Sequence, residues 1–86
     1  WGSEHPQIAR GLHELAALLR DQGRLDEAVT TAREAFEMRR KVLGREHPET
    51  TKSREVLIEV LRLKGNIDEA EKLRAGASNG VEIKQP

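Results

Sequence analysis

Cysteine is absent from this chain of 86 residues. That excludes a disulfide framework and any thiolate metal site, and it fits a reducing compartment. Aromatic residues are nearly absent as well, Trp1 and Phe36 being the two present. A platform for stacking nucleic-acid bases therefore has almost nothing to build on. Net charge is zero, 15 Lys and Arg against 15 Asp and Glu, and neither half of the chain is basic. The electrostatic footprint of a nucleic-acid binder is missing. The densest basic run is Arg39-Arg40-Lys41. Three adjacent residues on a helix fan around its surface, so this run reads as a solvated face. No apolar stretch approaches the roughly 20 residues needed to span a bilayer, and no signal peptide is visible. The expectation is a small cytoplasmic domain with a modest core, no membrane contact and no nucleic-acid partner.

What the chain does have is a phrase that recurs. "WGSEHP" opens it and "LGREHP" stands at Leu43–Pro48. Sliding the chain along itself by 42 residues superposes more than this phrase. Leu15 falls on Leu57, Leu19 on Leu61, Arg20 on Arg62, Gly23 on Gly65, and Asp26-Glu27-Ala28 on Asp68-Glu69-Ala70, without a gap. Arg10 meets Lys52, Leu18 meets Val60 and Leu25 meets Ile67. A period between about 20 and 50 residues is the signature of a solenoid. The opening segment shares this register, so residues 1–5 read as the end of a preceding unit.

Each unit reads as two helices. Pro6 and Pro48 suit the first helical position, where a missing N–H costs nothing, with His5 and His47 just outside. Ile8, Leu12, Leu15, Ala16 and Leu19 then recur at spacings of three and four, the period of one helix face. Gly23 ends that helix, because glycine takes the left-handed conformation freely. The second helix carries Leu25, Ala28, Val29, Ala32, Ala35, Phe36 and Val42. In the second unit Asn66 and Glu69 have the spacing of a capping box. In the first, Arg24 holds the cap position and makes a weaker start. A pair joined by about two residues is antiparallel, with the alanines at the crossing. The predicted layout is unit 1 over residues 6–46, with helices at about 6–22 and 25–42. Unit 2 covers 47–77, with helices at about 48–64 and 67–77, and 78–86 is a flexible tail.

Leu12, Leu15-Ala16, Leu19, Gly23, Ala28 and Ala35 resemble the pattern of a tetratricopeptide repeat. The 42-residue period, the "LGxEHP" joints and the long second helix resemble the kinesin-light-chain and nephrocystin type. The resemblance covers about residues 1–77. It implies an all-α fold, an α-solenoid of two antiparallel helix-turn-helix units in right-handed superhelical stacking. It also implies a protein–protein interaction module within a longer array, binding a peptide segment of a partner in a concave groove lined by the first helix of each unit. The groove positions so implied are Arg10, His13, Glu14, Ala17 and Arg20, then Lys52, Glu55, Val56, Glu59 and Arg62. Arg10 with Lys52 and Arg20 with Arg62 would form two short basic rows suited to carboxylates, interrupted by Glu55 and Glu59. The Lys/Asn clamp that some members use for a C-terminal carboxylate is not matched.

The second unit departs from the pattern. Arg54 stands at the counterpart of Leu12 and Arg74 at that of Ala32, and the outer residues of its last helix are charged. Repeat arrays end in caps with a polar outer face, so Ile67–Ala77 reads as a closing helix. The alternative function is accordingly a capping or oligomerisation segment at the C-terminal end of a scaffold. The opposite edge, with Trp1, Ile8, Ala9 and Leu18, is expected to be uncovered and to favour self-association.

Chemistry finds no foothold. His5 and His47 occupy equivalent joints and read as residues of helix initiation. His13-Glu14 lacks the second histidine of an HExxH zinc motif, since position 17 is Ala. Asp26-Glu27 recurs at Asp68-Glu69, which marks helix starts and not an acid/base pair. No catalytic residue, metal ligand or cofactor is expected.

Overall fold

The computed structural model describes residues 4–77, with side chains placed over 7–75. Trp1 and the expected tail 78–86 lie outside the described residues. Those described form four helices and no strand: α1 (Glu4–Asp21), α2 (Leu25–Leu43), α3 (Pro48–Lys64) and α4 (Ile67–Ala77).

The helix ends follow from local chemistry. After α1 the Gly23 N–H donates to the Arg20 carbonyl at 3.0 Å and the Arg24 N–H to the Leu19 carbonyl at 2.9 Å. After α3 the same two bonds recur 42 residues on, Gly65 to Arg62 at 3.0 Å and Asn66 to Leu61 at 2.8 Å. This is the Schellman closure, and it needs a positive φ at its turning residue. Gly23 and Gly65 supply +78° and +98°. At the start of α3 Pro48 opens the helix and the Nδ1 of His47 accepts from the Glu49 N–H at 3.0 Å, so His47 is an N-cap. The first unit differs from expectation. α1 already begins at Glu4, so Pro6 lies inside the first turn and not at its first position. Amides of that turn have no partner within the helix, so proline is tolerated there. Arg24 makes no side-chain cap for α2 and grips Glu27 with two bonds of 2.7 and 3.0 Å. The carboxylate of Glu69, expected to close a capping box, accepts from Arg33 of α2 at 2.6 Å.

The helices stack in chain order, α1 on α2, α2 on α3 and α3 on α4, with a lighter contact of α1 with α3. One core runs through both pairs: Ala16 and Leu19 from α1, Ala28, Val29, Ala32 and Phe36 from α2, Leu57, Val60 and Leu61 from α3, and Ala70 from α4. The alanines allow the close crossings. Some expectations are corrected. Leu15 lies outside the core and Val42 is exposed, whereas Ala9, expected at the open edge with Ile8 and Leu18, is buried. The apolar stripe of α1 is broader than α2 alone can cover, and α2 takes the Ala9–Ala16–Leu19 side. Arg39, read as a solvated residue, is buried. The N-terminal turns of α3 come up against the end of α2 and offer it acceptors, namely the Glu49 carbonyl at 3.1 Å, the Ser53 hydroxyl at 3.0 Å and the Glu49 carboxylate at 3.3 Å. Arg54, the departure at the position of Leu12, is also buried. Its guanidinium lies 5.8 Å from the centroid of the Phe36 ring, a cation–π distance.

Candidate functional site

The residues expected to line one groove are divided between two clefts. Arg10, His13 and Lys52 come together in a cleft of about 500 Å³ between α1 and α3, with Glu14, Arg39 and Glu49. Glu55, Glu59 and Arg62 line a second cleft of about 380 Å³ on α3 and α4, around Ile58 and beside Arg54 and Arg74. Ala17 is half-buried and belongs to neither. Arg20 ties the helices together, its Nη1 donating to Glu59 at 2.9 Å and its Nε to Asp21 at 3.2 Å.

The two basic rows are neutralised. Arg10 pairs with Glu14 at 3.4 Å, Lys52 with Glu49 at 3.8 Å and Arg62 with Glu71 at 3.8 Å. The spacing of the repeat places the bases one unit apart, but α-helical neighbours and α4 bring a carboxylate to each. Pairs this exposed hold weakly, about 0–1 kcal/mol each.

His13 has the most unusual surroundings in the first cleft. Its Nδ1 is buried and has no hydrogen-bond partner. Burial, and after it the charge of Arg39, hold the imidazole below its ordinary value of 6.5, while Glu49 and Glu14 pull the other way. The ring is thus favoured as the neutral form, with its Nδ1 enclosed and unpartnered. Sequence reasoning reached Arg10, His13 and Lys52 but missed Arg39 and Glu49. A signal for Arg39 existed. Ala28, Ala32, Ala35 and Arg39 follow the spacing of one helix face, which places the arginine on the buried stripe. Nothing local in the sequence marks Glu49 as its partner. Among the described residues no group of three His, Asp or Glu side chains could hold a metal ion, and no helix is long and apolar enough to cross a membrane.

Two helix pairs with the same closure, 42 residues apart and sharing one core, define an all-α helical repeat. Residues 8–49 match the family model of the tetratricopeptide repeat, which supports a repeat of that type over this segment. Tetratricopeptide repeats are non-catalytic modules that generally mediate protein–protein interaction. Comparison with curated proteins and with solved structures returns no match.

Proposed function

We propose that the chain is a protein–protein interaction module that holds a peptide segment of another protein in the cleft between α1 and α3. The observation that carries this reading is the convergence of Arg10, His13 and Lys52 on one cleft. Arg10 and Lys52 are mostly exposed and weakly engaged, so a ligand carboxylate competes readily with Glu14 and Glu49. Three cations face two carboxylates across the cleft. That balance suits a segment with a single carboxylate better than a run of acids. The division into units at 6–46 and 47–77, and the kinesin-light-chain or nephrocystin type of repeat, belong to the same reading and rest on the 42-residue period.

A second reading is favoured by the other end of the molecule. The exposed residues of α4 include Asp68, Glu71, Lys72 and Arg74, and the cleft beside it is lined by charge around Ile58. A charged outer face of this kind supports a capping role. The experiment is a peptide-display selection on the wild-type chain, counter-screened with the double variant Arg10→Glu/Lys52→Glu. Both side chains are exposed, so circular dichroism should be unchanged. Peptides that lose at least about tenfold in affinity on the variant support the cleft. Peptides that bind both forms equally, or no peptide at all, leave the capping reading.

A further inference from the structure

Among the described residues two arginines are buried, Arg39 at 5% exposure and Arg54 at 8%, and their charges are met differently. Arg39 has the Glu49 carboxylate at 3.3 Å, with the Glu49 carbonyl and the Ser53 hydroxyl beside it. Arg54 enters no ion pair with a described residue. Its hydrogen bond runs from Nη2 to the Thr51 hydroxyl at 3.3 Å. The Phe36 ring, 5.8 Å from the guanidinium, attracts the charge but does not replace a carboxylate. A guanidinium carries five N–H donors, and a buried charge left without its counter-charge is costly. Packing does not demand that charge, because the same place in the repeat is filled by Leu12.

The side chain lines the cleft of about 380 Å³ on α3 and α4, together with Arg62 and Arg74. Its Nε and Nη1 are not among the atoms sealed from solvent without a partner, so they are open to a ligand in that cleft. Arg62 and Arg74 are exposed and share one carboxylate, Glu71, at 3.8 and 3.9 Å. Contacts that long and exposed hold little, so both arginines can exchange Glu71 for a better acceptor. One guanidinium is thus fixed in the wall and two more stand at the rim. Thr51 adds a hydroxyl: it accepts from Arg54, which leaves its own hydrogen to donate.

Two carboxylates share the cleft. Glu59 is already engaged by Arg20 at 2.9 Å. Glu55 lines the same wall and forms no ion pair with any of the three arginines. A planar carboxylate close at hand therefore leaves Arg54 unpaired. A phosphate monoester differs in having three acceptor oxygens and nearly two charges, so one such group can take hydrogen bonds from several guanidinium groups at once. Ile58 stands among the charged residues and offers an apolar contact that a bare phosphate cannot use and a side chain bearing the phosphate can.

We propose that the α3–α4 cleft is an oxyanion site that takes the phosphate of a phosphorylated serine or threonine on a segment of another protein, with Arg54 as its fixed donor and Arg62 and Arg74 closing on it. The site shares no residue with the α1–α3 cleft and stands or falls separately from it. It also gives the charged face of α4 a ligand rather than solvation alone.

The test is a titration of the full chain at constant ionic strength, followed by the arginine Nε–H signals in NMR spectra. Three probes are compared: inorganic phosphate, a five-residue peptide with phosphoserine between two leucines, and the same peptide without phosphate. The phosphopeptide should shift the signals of Arg54, Arg62 and Arg74 and should bind at least about tenfold more tightly than either other probe. Arg54→Leu restores the residue of the first unit and removes an unpaired charge, so it should fold with a urea midpoint no lower than the wild type while losing at least about tenfold in phosphopeptide affinity. Arg10→Glu/Lys52→Glu should bind the phosphopeptide as the wild type does. Undiminished affinity in Arg54→Leu, or signals of the three arginines that do not move, would overturn the proposal. Inorganic phosphate binding as tightly as the phosphopeptide would overturn its assignment to a phosphorylated side chain, and loss of binding in Arg10→Glu/Lys52→Glu would overturn its location.

Discussion

Arg39 occupies a place where an uncompensated charge would be costly, and it stays because α3 meets it with acceptors. The Glu49 carbonyl, the Ser53 hydroxyl and the Glu49 carboxylate surround its guanidinium. That arrangement pins the end of α2 to the start of α3 and so joins the two helix pairs. It also conditions His13, whose proton affinity is lowered by burial and by the Arg39 charge, opposed by Glu49 and Glu14 and aided by Lys52. The sign of the pH effect follows. In the unfolded chain His13 takes up its proton around the ordinary value of 6.5, while in the folded chain it does so only at lower pH. Within that interval the unfolded state binds more protons, so stability falls as pH falls. Above 6.5 both states hold the neutral ring and the contribution is complete. Urea midpoints measured from about pH 7.5 down to about pH 5.5 should decline in the wild type, and decline less steeply in His13→Gln.

At the scale of the element, the helices are delimited by residues whose reasons are local. His47 and Pro48 start α3, and glycines with positive φ follow α1, α2 and α3. These glycines are not equivalent. Gly65 is a left-handed cap at φ 98° and ψ 1°, whereas Gly44 has φ 96° and ψ 153°. The first conformation is strained for an L-residue by about 1–2 kcal/mol; the second belongs almost entirely to glycine. No other atom lies within 4 Å of a Cβ added at either position, so the backbone alone sets the cost. Gly65→Ala should lower stability by about 1 kcal/mol and Gly44→Ala by about 2 kcal/mol, in chemical denaturation followed by circular dichroism. Equal losses would show that the turn after α2 relaxes.

At the scale of the molecule, the repeat is a sequence symmetry that the structure breaks. Leu15 and Leu57 are the same residue at the same place in the period, yet Leu57 is fully buried and Leu15 is not. Truncating the first removes little packing, and truncating the second opens a cavity between α2, α3 and α4. Leu57→Ala should cost about 3 kcal/mol and Leu15→Ala less than about 1 kcal/mol, measured on dilute protein so that association does not contribute. A similar loss at both positions would mean that α1 is covered in solution even at low concentration. The two ends of the stack differ in kind, an apolar face on α1 and a charged surface on α4.

The fold class was legible in the sequence because it depends on short-range physics. Glycine stops and a proline start each act within a turn or two of chain, and the 42-residue register repeats the pattern. The small residues of the crossings were legible for the same reason, since Ala16, Ala28 and Ala32 lie on the stripes that periodicity reveals. Three things were decided only by tertiary packing. The first is which side of the broad α1 stripe is covered, because that depends on where α2 lies and not on α1. The second is the burial of Arg39, whose partners are ten or more residues away on another helix. The third is the division of the expected groove, because the carboxylates that neutralise Arg20 and Arg62 come from α3 and α4. Helix limits are set by neighbours along the chain, and sites are set by neighbours in space; a sequence displays the former directly and the latter only once the helices have been stacked.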